Sequence, residues 1–409
     1  MRTSRWVAAF AAASLTVALS ACGSGFSSGS SSASQTPGKP ITVLIGSSGD
    51  AETTAVKEAV AAWSTKSGVQ ATVRTASNLN QELAQGFAAK NPPDVFYLGA
   101  DSIAGYAANG SLLAYGDTLS NKGDFYDSLV KNFTVKDKFY CAPKDFSTLQ
   151  LVINTDLWTK AGLTDADVPT TWDQLSAVSK KLTSGTTTGL VMSGEYARFG
   201  VFMVQAGGNL MNETSTQATA SSDANVKGLQ YVKDNLVAGS FKTAADVGAG
   251  WGGEAFGKQL GAMTIEGNWI TGALKSDFPN LKYKVVELPA GPAGKGTLQF
   301  TNCWGIAADS QNTEGAKALV AALTATDQQL AFSKAFGVMP SIKSAADAWK
   351  TANPTLVPFI NGATYAKGVP TAAGSSAVVT DLNQKLAQLR NQDPKAILDA
   401  AQTNLSALK

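Results

Sequence analysis

Four stretches of this chain spell patterns that elsewhere carry catalysis, and none has the surroundings that catalysis needs. Gly25-Phe26-Ser27-Ser28-Gly29 fits a nucleophile elbow, but it lies in a Ser/Gly-rich segment with no strand before it. Gly248-Ala249-Gly250-Trp251-Gly252-Gly253 fits a dinucleotide fingerprint, yet no clear β-strand leads into it. Residues 252–258 fit most of a phosphate loop, but Gln259 stands where Ser or Thr must bind magnesium. Ser128-Leu129-Val130-Lys131 has the S-x-x-K spacing of penicillin-binding enzymes, and neither S-D-N nor K-T-G follows. The chain has no histidine, which removes the commonest general base and the commonest zinc ligand. What remains for catalysis is carboxylate chemistry. Asp101 and Glu195 are the one pair that could be nominated as acid and base of a glycoside hydrolase, a role that needs the two groups about 5–10 Å apart across a cleft.

The residues that could position such groups follow an unusual start. Arg2 and Arg5 precede an apolar run from Trp6 to Leu19, and Leu19-Ser20-Ala21-Cys22 follows. The run is short for a bilayer span. This start resembles a bacterial lipoprotein signal, which implies removal of residues 1–21 and a lipid on the Cys22 sulfur. Residues 22–40, mostly Ser and Gly, have almost nothing to bury and read as a flexible leash reaching about 25 Å. The protein is thus expected outside the cytoplasm, held at the cell membrane. Formal charge is +2 over the whole chain, and the two leading arginines leave with the signal. Near-neutrality argues against nucleic acid and a polybasic membrane patch, and for an uncharged ligand. With Cys22 assigned to lipid, Cys141 and Cys303 form an even pair in an oxidising compartment. A disulfide between them is expected, against the alternative of two buried thiols.

Beyond Pro40 the chain is long enough for two domains. Ile41-Thr42-Val43-Leu44-Ile45 reads as a buried strand. Val56, Val60 and Trp63 fall at helical spacing, with Gly68 as a stop. Residues 69–74 alternate as a second strand, residues 79–89 form a helix, and Pro93-Asp94-Val95-Phe96-Tyr97-Leu98 is a third strand. This rhythm implies a parallel sheet flanked by helices, with ligands beyond the carboxyl ends of its strands. A second α/β region opens near Leu149. There Thr171-Trp172-Asp173-Gln174 reads as a capping box, Trp172, Leu175, Val178 and Leu182 as a buried stripe, and Gly185 as the helix end. Residues 263–265 form a short strand, and residues 313–323 and 378–389 later helices.

Four ordered segments carry a family resemblance. They are Pro93-Asp94-Val95-Phe96-Tyr97-Leu98-Gly99-Ala100-Asp101; Ala142-Pro143-Lys144-Asp145-Phe146-Ser147-Thr148-Leu149, running on to Asn154-Thr155-Asp156-Leu157; Gly261-Ala262-Met263-Thr264-Ile265-Glu266-Gly267-Asn268-Trp269; and Cys303-Trp304-Gly305-Ile306-Ala307 with Gly337-Val338-Met339-Pro340-Ser341 beyond. Together they resemble the extracellular solute-binding proteins of sugar-uptake ABC transporters, the group that contains the maltodextrin-binding protein. The resemblance implies an α/β fold: a two-lobed, type II periplasmic-binding-protein-like clamshell, each lobe a sheet flanked by helices. Hinge crossings are expected near 145–147, 301–304 and 338–341. The first lobe would comprise 41–145 plus 304–337, and the second 147–300 plus 341–409. Cys141 and Cys303 would then sit near neighbouring crossings. No enzyme activity, cofactor or metal is implied. The implied partners are a carbohydrate and membrane permease subunits, with the receptor itself a monomer.

A neutral sugar presents hydroxyls and C–H faces, so its site needs carboxylates and amides for paired hydrogen bonds and aromatic rings for the faces. The resemblance places Asp50 and Asp101 at acidic sugar contacts, Glu195 at a cleft glutamate with Tyr196 beside it, and Trp269 at a stacking ring. Trp251 and Trp304 are further aromatic candidates, and Asp145 and Asn268 further polar ones. Ser102 replaces a family arginine and Leu98 an aromatic residue. No tryptophan stands near residues 375–379, so a long maltodextrin is not implied.

Overall fold

The computed structural model describes residues 38–47 and 49–408. The readings of the leader, the Gly25–Gly29 pattern, Cys22 and the leash as far as residue 37 lie outside them; at the end of the leash, Lys39 O accepts from Asn312 Nδ2 at 2.7 Å.

Strands Ile41–Ile45, Ala71–Thr75 and Val95–Gly99 pair in parallel, as the alternation of strand and helix demanded. Asn302–Ile306 pairs antiparallel to the third of them, and Ala142–Pro143 pairs antiparallel to Asn302–Ile306 at the sheet edge. The sheet is therefore mixed, because its last two strands enter from the hinge rather than by helical crossovers. Between the first two strands runs the helix Asp50–Ser67, which buries Val56 and Val60 and stops at Gly68, whose φ of 73° is left-handed.

The second sheet repeats the plan, in the order Phe241–Thr243, Thr188–Met192, Gly261–Glu266, Gln150–Asn154, Tyr283–Val286. Its first three strands are parallel, and Gln150–Asn154 runs antiparallel to both of its neighbours, Gly261–Glu266 and Tyr283–Val286. Helix Trp172–Leu182 buries the expected stripe. Its N-terminus departs from a capping box. The Thr171 hydroxyl accepts from Gln174 N as expected, but the Gln174 side chain reaches one residue too far back, to Thr170 N at 2.8 Å. The helix also ends at Leu182 rather than Gly185, because Thr183 turns to extended backbone; Gly185, at φ 59°, serves the tight turn that follows.

The chain passes between the two cores three times. Ala142–Pro143 in the first sheet is followed by Ser147–Thr148, which pairs with Thr297–Phe300; that strand leads within two residues into Asn302–Ile306. The third passage is pinned where Phe146 bridges Met339 and the Ser341 hydroxyl donates to Pro143 O at 2.7 Å. Cys141 and Cys303 are joined by a disulfide with Cα atoms 5.5 Å apart, fully buried in the first core. It closes 162 residues of sequence. Chain-entropy reasoning puts the constraint on the unfolded state at about 5 kcal/mol, against a typical measured range of ~2–4 kcal/mol. Both cysteines belong to the core beneath the first sheet, so the bond lies within that core. No helix among the described residues is long and apolar enough to cross a membrane.

Candidate functional site: the interlobe cleft

A cavity of about 1700 Å³ opens where the carboxyl ends of both sheets meet the crossings. Gly46 and Ser47 follow the first strand into it, and Gly99, Ala100 and Asp101 follow the third. Segments 144–147 and 299–302 form its hinge side, and Tyr196, Asn268 and Trp269 stand on the second-lobe wall. Parallel strands end their hydrogen-bond ladders there, so loops with free polar groups converge on one crevice.

Trp269 is the dominant feature of the second wall. It is 39% exposed, one of two large hydrophobic residues so exposed among those described. It follows the strand Gly261–Glu266 through Gly267, and that glycine is required: a Cβ there would meet the Trp269 ring at 2.3 Å. The ring is held edge-on to Phe300, with centroids 5.7 Å apart. Its Nε1 donates to Glu266 Oε2 at 3.0 Å, and the Arg198 guanidinium lies 5.6 Å from the ring centre. Arg198 in turn donates to Glu266 Oε2, and to Glu195 Oε1 at 2.7 Å. Burial pushes the Glu266 carboxyl above its ordinary range, while Arg198 pulls it back. The tryptophan is thus an exposed apolar plate on a buried, charge-balanced mount.

The first wall carries a second buried ionic group. Lys144 donates to Glu52 Oε1 at 3.0 Å and to Asp145, and Tyr97 OH donates to the same Glu52 oxygen at 3.1 Å. Lys144 and Glu52 are each under a tenth exposed. Burial alone would discharge the ammonium, but Asp145, with Tyr97 and Glu52, drives its pKa upward, so it stays charged. Lys144 also lies over the Tyr97 ring at 4.5 Å. Its own backbone is fixed to the hinge, with N donating to Asn302 O at 2.9 Å and O accepting from Gln329 Nε2 at 2.8 Å.

The cavity brings together five of the residues nominated from sequence: Asp101, Asp145, Tyr196, Asn268 and Trp269. Asn268 does more than line it. Its Nδ2 donates to Gly337 O at 2.7 Å and its backbone N donates to Ser147 Oγ at 2.9 Å, so it ties this wall to two of the passages between the cores. Tyr196 is nearly all core, packed on Gly200, with its hydroxyl on Asn209 Oδ1 at 3.1 Å. Four nominated residues stand outside the lining. Asp50 is exposed at the start of its helix, and Glu52, one turn-fraction on, is the acid that faces inward. Glu195 is engaged by Arg198 behind the Trp269 mount, so the Asp101–Glu195 acid–base pair is not assembled across the cavity. Trp251 folds over Gly253 at a helix start. Trp304 is buried against Tyr97, with ring centroids 4.8 Å apart.

Sequence reasoning missed Glu52, Lys144 and Gln299. For Glu52 a signal existed. It lies four residues before Val56 and eight before Val60, on the buried stripe of its helix.

Comparison with known proteins agrees with this architecture. The family model for bacterial extracellular solute-binding proteins matches residues 51–358, and the chain belongs to that family. A binding protein of Brucella abortus (strain 2308) is 25% identical over 70% of this chain and 72% of its own. Among solved structures, the cyclic alpha-maltosyl-1,6-maltose binding protein from Arthrobacter globiformis superposes with a TM-score of 0.80 at 21% identity, covering 91% of this chain and 99% of that one. The GacH receptor of Streptomyces glaucescens, solved unliganded and with acarbose, gives 0.77 at 21% identity, covering 91% and 100%. The fold is that of the two-lobed type II solute-binding proteins.

Proposed function

We propose that this chain is a lipid-anchored receptor that captures a neutral mono- or oligosaccharide in the interlobe cleft and delivers it to ABC-transporter permease subunits, without catalysis. Trp269 carries the reading: an exposed indole on a rigid mount, facing a wall that holds Asp101 and Asp145, offers a ring for a sugar's C–H face and acceptors for its hydroxyls. Three relatives support it by the ligands in their names, which are acarbose, a cyclic maltosyl-maltose and diacetylchitobiose, while UgpB from Mycobacterium tuberculosis shares the fold and is named with glycerophosphocholine. Lipid on Cys22 would keep the receptor within a leash length of a fixed permease.

A panel of neutral mono- and oligosaccharides, read by thermal shift and then calorimetry on the purified described region, tests the reading. The expected result is one chemically related group of sugars that raises the melting temperature. Silence across the panel would refute it. Incorporation of labelled palmitate that is lost in Cys22→Ser is the matching check on the anchor.

A further inference from the structure

Four glutamines are fully buried among the described residues: Gln150, Gln205, Gln299 and Gln329. Three are saturated at both ends of the amide. Gln150 donates to Pro358 O at 2.8 Å and accepts from Leu288 N at 3.0 Å. Gln205 donates to Gly296 O at 3.0 Å and accepts from Trp172 Nε1 at 2.6 Å. Gln329 donates to Lys144 O and accepts from Ser341 N, both at 2.8 Å. Gln299 is the exception. It is 1% exposed, and neither its Oε1 nor its Nε2 has a hydrogen-bond partner. It is also the one of the four that lines the interlobe cavity.

A buried amide with nothing to bond has lost its water without compensation, and native structures leave few such groups. Its position is not a matter of chance geometry in a loop. Gln299 sits in the crossing strand Thr297–Phe300, in register with Thr148. The next residue, Phe300, is the ring against which Trp269 stands.

We infer that Gln299 is a ligand contact, and that it reads an uncharged group able both to donate and to accept, such as a pair of adjacent sugar hydroxyls. The inference rests on the carbohydrate reading above and deepens it. An amide offers one acceptor and two donors on neighbouring atoms. A carboxylate or phosphate could satisfy only Nε2 and would set negative charge beside Oε1; an ammonium could satisfy only Oε1. Lys144 is already shared between Glu52 and Asp145, and Arg198 between Glu195 and Glu266, whereas Lys275 and Lys334 also line the cavity; the neutral reading therefore rests on the amide itself and not on the surrounding charges. A bound pair of hydroxyls would supply the partners that the amide lacks within the protein. A site built this way rejects analogues lacking the hydroxyl more sharply than an apolar pocket can.

The experiment pairs melting of the free protein with affinity for the sugar found in the panel, using Gln299→Leu and the closer isostere Gln299→Met. Expected are variants that melt at or above the wild-type temperature when free, yet bind the sugar about 10- to 100-fold more weakly. Deoxy analogues of that sugar extend the test: removal of the hydroxyl read by Gln299 weakens wild-type binding but costs the variants nothing further. Variants that both melt well below wild type, or both fail to fold, would show that the amide supports the fold and would overturn the inference. So would undiminished affinity. A wild-type chain that binds no sugar would sink the carbohydrate reading instead, and the melting comparison would still judge whether the amide is unmet.

Discussion

The cleft of this protein is made by pairing exposed apolar surface with buried charge. Trp269 presents its face because Glu266, Arg198 and Phe300 hold its edge and back. An indole fixed in advance loses little rotamer freedom when a sugar lands on it, so more of the contact energy appears as affinity. Replacing Trp269 with Ala should therefore weaken sugar binding at least 10-fold, and replacing it with Phe by much less, since a smaller ring still covers a C–H face. Calorimetry on the two variants checks this. Equal losses for Ala and Phe would mean that the Nε1 hydrogen bond to Glu266, not the ring face, is what matters. Folding should survive in both, because the ring is more than a third exposed.

Single residues of this kind are presented by elements that also hold distant parts of the chain together. Helix Asp127–Asn132 and strand Ala366–Lys367 meet at Glu213, which accepts from Lys131 at 3.1 Å and Lys367 at 2.6 Å. The Lys367 hydrogen bond, then that of Lys131, holds the Glu213 pKa down at about 2, from an ordinary 4.5. A depressed carboxyl pKa stabilises the fold above the unfolded value, and the benefit drains away as pH falls through the folded value. Glu213→Gln should thus lower stability at neutral pH, with the difference from wild type fading between pH 4.5 and 2. The side chain is 58% exposed, so solvent screening keeps the effect at about 1 kcal/mol or less. Paired melting curves at pH 7 and pH 2.5 measure it; a gap that persisted at the lower pH would contradict the assignment. The same elements show why much of the fold could be read in advance and parts of the site could not. Strands such as Ile41–Ile45 and helices such as Asp50–Ser67 announce themselves by period and by a glycine stop, which are local properties. Lys144, Glu52 and Tyr97 come together from three separate elements, and no local pattern encodes that meeting. Gln299 stands between Leu298 and Phe300 with no pattern in the sequence to mark it. Only the saturation of the other buried glutamines makes its bare amide informative.

Across the whole molecule, a ligand can close the two lobes only by as much as it prefers the closed form to the open one. That preference requires contacts contributed from both sides of the hinge at once. The cleft meets the requirement: Asp101 follows the third strand of the first sheet, Trp269 follows a strand of the second, and Asp145 and Gln299 lie in the segments that join the two cores. The disulfide at Cys141 and Cys303 stiffens the first lobe without bridging to the second, so closure should proceed by rigid-body rotation about the crossings. Small-angle scattering can see this. A single compact globule of this length would have a radius of gyration of roughly 21 Å, and two lobes held apart exceed it. Saturation with the bound sugar should shift the radius of gyration toward that value in the wild type, with little shift in Trp269→Ala at the same sugar concentration. Reduction of the disulfide in a still-folded sample should leave the shift intact, because the bond lies within one lobe. A ligand-saturated protein whose scattering did not change would exclude closure and leave the cleft a preformed site.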